Sequence, residues 1–196
     1  TTALTGKIMQ EYFASSYIVG NIGNPYTSAV LEMQEDTVTV AEISSFQLET
    51  AMDFHPHVSA VLNITPDHLN RHYTMENYTE AKMNVTKNQT KDDFCILNYD
   101  DPITYSLGDK IPASPLFFSS SQTLENGCFL RGEDIIWAKD GEETRLLGTS
   151  EMKLLGKHNA ENVMAAILMS SAFVVPMDSI VDSVKKYLPV KNVLAL

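Results

Sequence analysis

At 196 residues the chain can bury one sizeable core or two small ones, and its 44% hydrophobic and 20% charged content is that of an ordinary globular protein. A net charge of −11, with no block of Lys and Arg, argues against a nucleic-acid partner, and no stretch is apolar enough for a membrane partner or span. Cys95 and Cys128 lie far apart and outside any C-x-x-C spacing, which fits reduced thiols in a cytoplasmic protein.

Residues 1–15 read as an amphipathic helix, with Leu4, Ile8 and Tyr12 at four-residue spacing and Met9 and Phe13 beside them. A short strand at 17–19 runs into the turn-rich loop 20–25 and a helix near 26–33. Residues 37–43 form a buried strand that ends on Glu42-Ile43-Ser44-Ser45, followed by a helix at 46–52. Residues 58–64 are an apolar, β-branched run of the kind buried on both faces of a parallel sheet, and Pro66 then turns the chain away. A helix at 74–89 and a strand at 94–97 continue the alternation. This rhythm predicts an α/β fold, a mostly parallel sheet flanked by helices.

From about Pro112 the texture changes. The runs 115–119, 127–131, 134–138 and 143–147 are separated by signals such as Gly132-Glu133-Asp134 and Lys139-Asp140-Gly141. They predict a small antiparallel β appendage between Pro112 and Glu151, laid against the main sheet. Helices at 159–174 and 177–188 follow, and 189–196 is an apolar tail.

Glu42 stands at the carboxyl end of its strand, and Asp67 and His68 stand at the end of theirs. In an open α/β sheet that edge is where ligands bind, and carboxylate with imidazole suggests a cation site. His68 and His72 at i,i+4 point towards zinc, but no third strong ligand is spaced near them. Lys82 falls on the inward face of its helix with Met75, Tyr78 and Val85. There it either snorkels to solvent or is buried, and burial favours a neutral amine able to take up carbon dioxide as a carbamate. Asn159 suits a helix N-cap with Asn162 one turn on, and a ligand group would also be met there by unpaired amides. Gly20-Asn21-Ile22-Gly23 is a weak signal alone.

Taken together, Gly20-Asn21-Ile22-Gly23, Glu42-Ile43-Ser44-Ser45-Phe46-Gln47-Leu48-Glu49, Leu62-Asn63-Ile64-Thr65-Pro66-Asp67-His68-Leu69, Lys82, and Gly156-Lys157-His158-Asn159 with Asn162 resemble the central ATP-binding domain of the Mur ligases. These are the ATP-dependent amide-forming enzymes of peptidoglycan synthesis, and the fold implied is P-loop-like. The Ser-Ser-Phe-Gln-Leu run favours the member that joins D-glutamate to UDP-N-acetylmuramoyl-L-alanine, through an acyl phosphate. The resemblance implies ATP and Mg2+, with Glu42 and His68 as metal ligands and Lys82 as a carbamylated third. It also implies that Asn21, Ser44 and Gln47 contact the UDP-muramoyl substrate or order the metal site, and that Asn159 and Asn162 lie by the nucleotide.

Departures from the family pattern shape the remaining expectations. Thr1 and Thr2 match the last threonines of a G-x-x-G-K-T-T-T phosphate loop, and Asn70 stands where the family usually has Asp. Residues 1–188 are therefore expected to be a central domain lacking its first strand and phosphate loop, with 189–196 a tail or the start of a linker. Such a chain alone is expected to be inactive, with strand edges open to self-association by strand exchange. The alternatives are a non-catalytic remnant that kept the fold, or a sister amide ligase of the Mur and folylpolyglutamate synthase group.

Overall fold

The computed structural model describes residues 1–21, 23–154 and 156–188; the expected apolar tail lies outside them. Helix α1 (Thr2–Tyr12) buries Leu4, Ile8 and Met9. Gly6 lets it seat closely, since a Cβ there would stand 2.3 Å from Ile18 Cγ1. Tyr12, expected on the inward stripe, is 47% exposed because the helix ends at it.

Strand β1 (Ser16–Gly20) leads through α2 (Tyr26–Ala29) and a 3-10 turn (Val30–Glu32) to β2 (Val38–Glu42), which pairs with it in parallel. Helix α3 (Ser45–Leu48) is a single turn, shorter than the sequence suggests. It is opened by a capping box in which Ser44 and Gln47 bond each other's backbone amides. Next come β3 (Val58–Val61), the one-turn α4 (Leu69–His72), α5 (Met75–Met83) with a 3-10 turn (Asn84–Thr86), and β4 (Phe94–Asn98). Helix α6 (Pro102–Leu107), not anticipated from the sequence, follows. Asp101 accepts from the amides of Ile103 and Thr104, and Pro102 occupies the first turn, where a missing N–H costs nothing.

Strands β5 (Ser114–Ser119), β6 (Gly127–Arg131), β7 (Asp134–Lys139) and β8 (Glu142–Gly148) complete a six-stranded sheet ordered β3-β4-β5-β6-β7-β8. The antiparallel appendage exists, but it comprises β6, β7 and β8 and continues the main sheet. The run at 115–119 belongs instead to the parallel part: β5 pairs in parallel with β4 and, over Phe118 and Ser119, with β6. A strand's own residues state its burial, not its neighbour's direction.

Helices α7 (Lys157–Ala172) and α8 (Met177–Lys186) close the described chain. With α1 they form one layer, in which Ile8, Met164, Ile167, Leu168 and Ile180 share a core with Val38 of β2 and Ile96 of β4. Burying each such side chain contributes about 1.5–3 kcal/mol before entropy is counted. On the other face Tyr78 of α5 packs with Val61, Ile64, Cys95 and Leu97.

Both sheets thus lie on one helical layer, yet β2 pairs only with β1 and β3 only with β4 among the described strands. Two parallel strands of a common core present unpaired edges.

Candidate functional site

The carboxyl ends of the parallel strands gather the polar residues. Gly20, at the end of β1, has φ +113°, and a Cβ there would stand 2.1 Å from the Glu42 carbonyl oxygen. Only glycine allows that approach, which lets the Asn21 amide donate to the same carbonyl at 2.7 Å. The partly buried Glu42 side chain accepts from the Thr2 hydroxyl at 3.5 Å, and the Thr1 hydroxyl donates to Asn162 Oδ1 on α7. Asn21, Glu42, the start of α1 and Asn162 are therefore neighbours.

A second group lies beyond β3. Ile64 donates its amide to Asp101 Oδ2 at 3.0 Å, tying the loop to the cap of α6. His68 then takes a left-handed conformation, φ 52° and ψ 25°, held by its amide on Asp67 Oδ1 at 2.8 Å. Its exposed ring lies 4.9 Å from Phe46 and 6.5 Å from Tyr78. Lys82 is partly buried, and its Nζ stands over the Tyr78 ring at 5.1 Å, so the amine is covered by an aromatic face. His68 and Lys82 are thus joined through Tyr78. Among the described residues neither forms an ion pair with Glu42.

Ser44 and Gln47 engage each other: Gln47 Oε1 accepts from the Ser44 amide and hydroxyl, both at 2.9 Å. That bonding uses the amide oxygen of Gln47. The α7 start differs from expectation, since the helix begins at Lys157 with Gly156 as N-cap at φ +96°. Asn159 is inside the first turn, its amide on the Gly156 carbonyl at 3.1 Å. Leu62, Asn63, Phe118, His158, Glu161 and Asn162 line a cleft of about 190 Å³. A whole small-molecule pocket is typically some 300–1,000 Å³, so these walls alone would not enclose such a ligand.

Sequence reasoning missed a serine–aspartate cluster that adjoins the cleft through Glu161. Ser119, Ser120 and Ser121 donate their hydroxyls to Asp100, and the Ser120 hydroxyl also lies 2.6 Å from Glu161 Oε1. Burial pushes the Asp100 pKa up, but these bonds outweigh it and hold it below its ordinary value. Asp100 follows β4 as Glu42 ends β2, and that shared position at a strand's end was the available signal.

Among the described residues no three His, Cys, Asp or Glu side chains assemble a metal cage, so zinc has no site among them. Magnesium asks for less. It takes one or two carboxylates and completes its shell with water and phosphate, and Glu42 beside the Thr2 hydroxyl is an oxygen donor set of that kind. Nor is any described helix long and apolar enough to cross a membrane.

The family model for the Mur ligase middle domain matches residues 1–170. UDP-N-acetylmuramoylalanine–D-glutamate ligase of Lachnoclostridium phytofermentans is 54% identical over 98% of the chain, and that of Clostridioides difficile 46% over 93%. The chain spans 42% and 40% of those two proteins. Among solved structures, a UDP-N-acetylmuramoyl-L-alanyl-D-glutamate–2,6-diaminopimelate ligase superposes with a TM-score of 0.75 at 20% identity, covering 96% of this chain and 44% of that one. MurF of Acinetobacter baumannii gives 0.71 at 17%, covering 96% and 43%. These last two bear on the fold alone. On the family model and these relatives, the chain belongs to the Mur ligase family and carries its middle domain.

Proposed function

We propose that residues 1–188 are the central domain of an ATP-dependent ligase that joins D-glutamate to UDP-N-acetylmuramoyl-L-alanine in peptidoglycan synthesis. The observation that carries this is the convergence of Asn21, Glu42, Thr2 and Asn162 at one sheet edge, in a chain 54% identical to a ligase of that name. Two buried free cysteines favour the cytoplasm as its compartment.

The reaction has two steps. The L-alanine carboxylate takes the γ-phosphoryl group of ATP, releasing ADP; the D-glutamate amine then attacks the acyl carbon, loses a proton and expels phosphate. Asn21, Ser44 and Gln47 would hold the UDP-muramoyl substrate, and Asn159 and Asn162 the nucleotide. Glu42 and His68, with Lys82 as a carbamate, would hold magnesium. Bound magnesium offsets the charge of phosphates and carboxylate brought close together. The residues themselves orient the carboxylate on the γ-phosphorus, and such positioning is most of what phosphoryl transfer asks of a protein.

The test is release of ADP and phosphate by the full-length gene product, with each amino acid offered in turn. D-Glutamate-dependent turnover with UDP-N-acetylmuramoyl-L-alanine is expected. Turnover with a different amino acid, or none at all, would overturn the assignment.

A further inference from the structure

Helix α4 is a single turn bracketed by left-handed backbone at two residues that carry side chains, His68 at φ 52° and Tyr73 at φ 68°. Such conformations are costly wherever a Cβ is present, and they persist only where the surroundings impose them. The residue that ties this turn to the rest of the molecule is His72. It is 5% exposed, whereas His68, Asn70, Arg71 and Tyr73 around it are exposed.

The His72 ring is gripped on every side. Nε2 lies 3.0 Å from Ser45 Oγ on α3, and Nδ1 faces Glu49 Oε1 at 3.4 Å. Glu49 in turn accepts from Arg71 at 2.6 Å, and the Arg71 guanidinium lies over Phe46 at 5.0 Å. Phe46 stacks on His72 with centroids 5.5 Å apart and planes 14° apart, while Tyr78 meets the ring at 5.2 Å. The same two aromatics border His68, and Tyr78 carries Lys82 on its face.

Serine, histidine and carboxylate in that order would suit a nucleophile. Here the order serves another purpose. Ser45 is 4% exposed, which closes its hydroxyl to a substrate.

We propose that His72 is a positioning residue of this site: clamped between Ser45 and Glu49 and packed on Phe46 and Tyr78, it fixes the left-handed His68 and the ring that seats Lys82. Its consequence for turnover rests on the ligase function proposed above; its structural consequence does not.

The test uses the full-length protein with H72F and H72Q. Phenylalanine keeps the ring packing and loses both polar contacts, whereas glutamine can still reach Ser45. H72F is expected to lower kcat about tenfold or more with KM for ATP and the UDP substrate nearly unchanged, and H72Q to lower it less. In a histidine-labelled NMR spectrum without ligands, the His68 ring signal should move in H72F. Wild-type kcat with an unmoved His68 signal would overturn the proposal. So would equal losses in both variants with His68 unmoved, since His72 would then serve stability alone. If H72F does not fold, E49Q takes its place, and an unchanged His68 signal and kcat there would be equally fatal. Should the wild type form no amide bond, the ligase assignment falls, and the NMR measurement still decides the positioning role.

Discussion

Replacing Asp93 by Asn is the most exacting test of what holds the sheet together at its amino edge. Asp93 is 6% exposed and precedes β4, next to the start of β3. His55 Nε2 donates to one oxygen at 2.7 Å and His57 Nδ1 to the other at 3.0 Å. The Thr90 amide and hydroxyl add bonds at 2.8 and 3.2 Å. Burial would raise the pKa, but the bonds from His55, Thr90 and His57 outweigh it and hold the carboxyl well below the usual carboxylate range. Asparagine fits the same space, yet its NH2 must face a donor. Hydrogen bonds to a charged group contribute about 1.5–3 kcal/mol each; with both imidazoles half exposed, D93N should cost roughly 2–4 kcal/mol at neutral pH. The assay is urea unfolding followed by the fluorescence of Trp137, the chain's one tryptophan. A group whose folded pKa is depressed stabilises above its unfolded pKa and loses that contribution as pH falls through the folded value. The gap between wild type and D93N should therefore be full at neutral pH and begin to shrink below about pH 4. A gap under about 0.5 kcal/mol at pH 7, or one constant down to acid, would refute the reasoning.

Gly20→Ala should cost roughly 2 kcal/mol or more, because its Cβ would collide with the Glu42 carbonyl in a backbone region L-residues avoid; thermal melting measures it. Asp101→Ala should cost about 1–3 kcal/mol, as it uncaps α6 and releases the Ile64 amide together; an unchanged midpoint in urea would count against that double role. In the full-length protein E42Q should lower kcat by about 10²-fold or more, and removal of carbonate from the buffer should lower wild-type activity but leave K82R, already impaired, unaffected. The 196-residue chain should self-associate through the open edges of β2 and β3, and sedimentation showing a monomer across a concentration series would exclude it.

The parallel half of the fold was legible because each strand is a short β-branched run with its polar residues at one end. Val38–Glu42 and Val58–Val61 fall within the ranges read from sequence, and Glu42 sits at its strand's tip as expected. Helix α6 was not seen, since six residues give too little periodicity, although Asp101-Pro102 is a sound start signal. The direction of β5 was beyond local pattern: Cys95 opposite Pro115 is a long-range pairing. Glu42, placed by the end of its strand, was readable; partnerships at a distance were not. His55 and His57 meet Asp93 more than thirty residues on, and His72 meets Ser45 across 27. The i,i+4 spacing of His68 and His72 likewise does not give them one environment, because one left-handed residue puts the first in solvent and the second in the core.

The two ends of the sheet divide the work between them. At the amino edge the buried Asp93 carboxylate is saturated with donors, an arrangement that serves stability. At the carboxyl edge His68, Tyr73, Gly20 and Gly156 all hold positive φ, and the Glu42 and Asn162 side chains and the Asn21 amide gather beside the start of α1. Strain of this kind is retained only where neighbouring structure opposes it, and the Ser45–His72–Glu49 clamp is placed to do so. It follows that substitutions at the two ends should separate experimentally. Those at Asp93 should shift unfolding without changing how KM and kcat divide, whereas those at His72 should act on kcat out of proportion to any loss of stability. A protein in which both sets of variants moved activity and stability in step would have no such division, and the carboxyl edge would then be strained for no functional return.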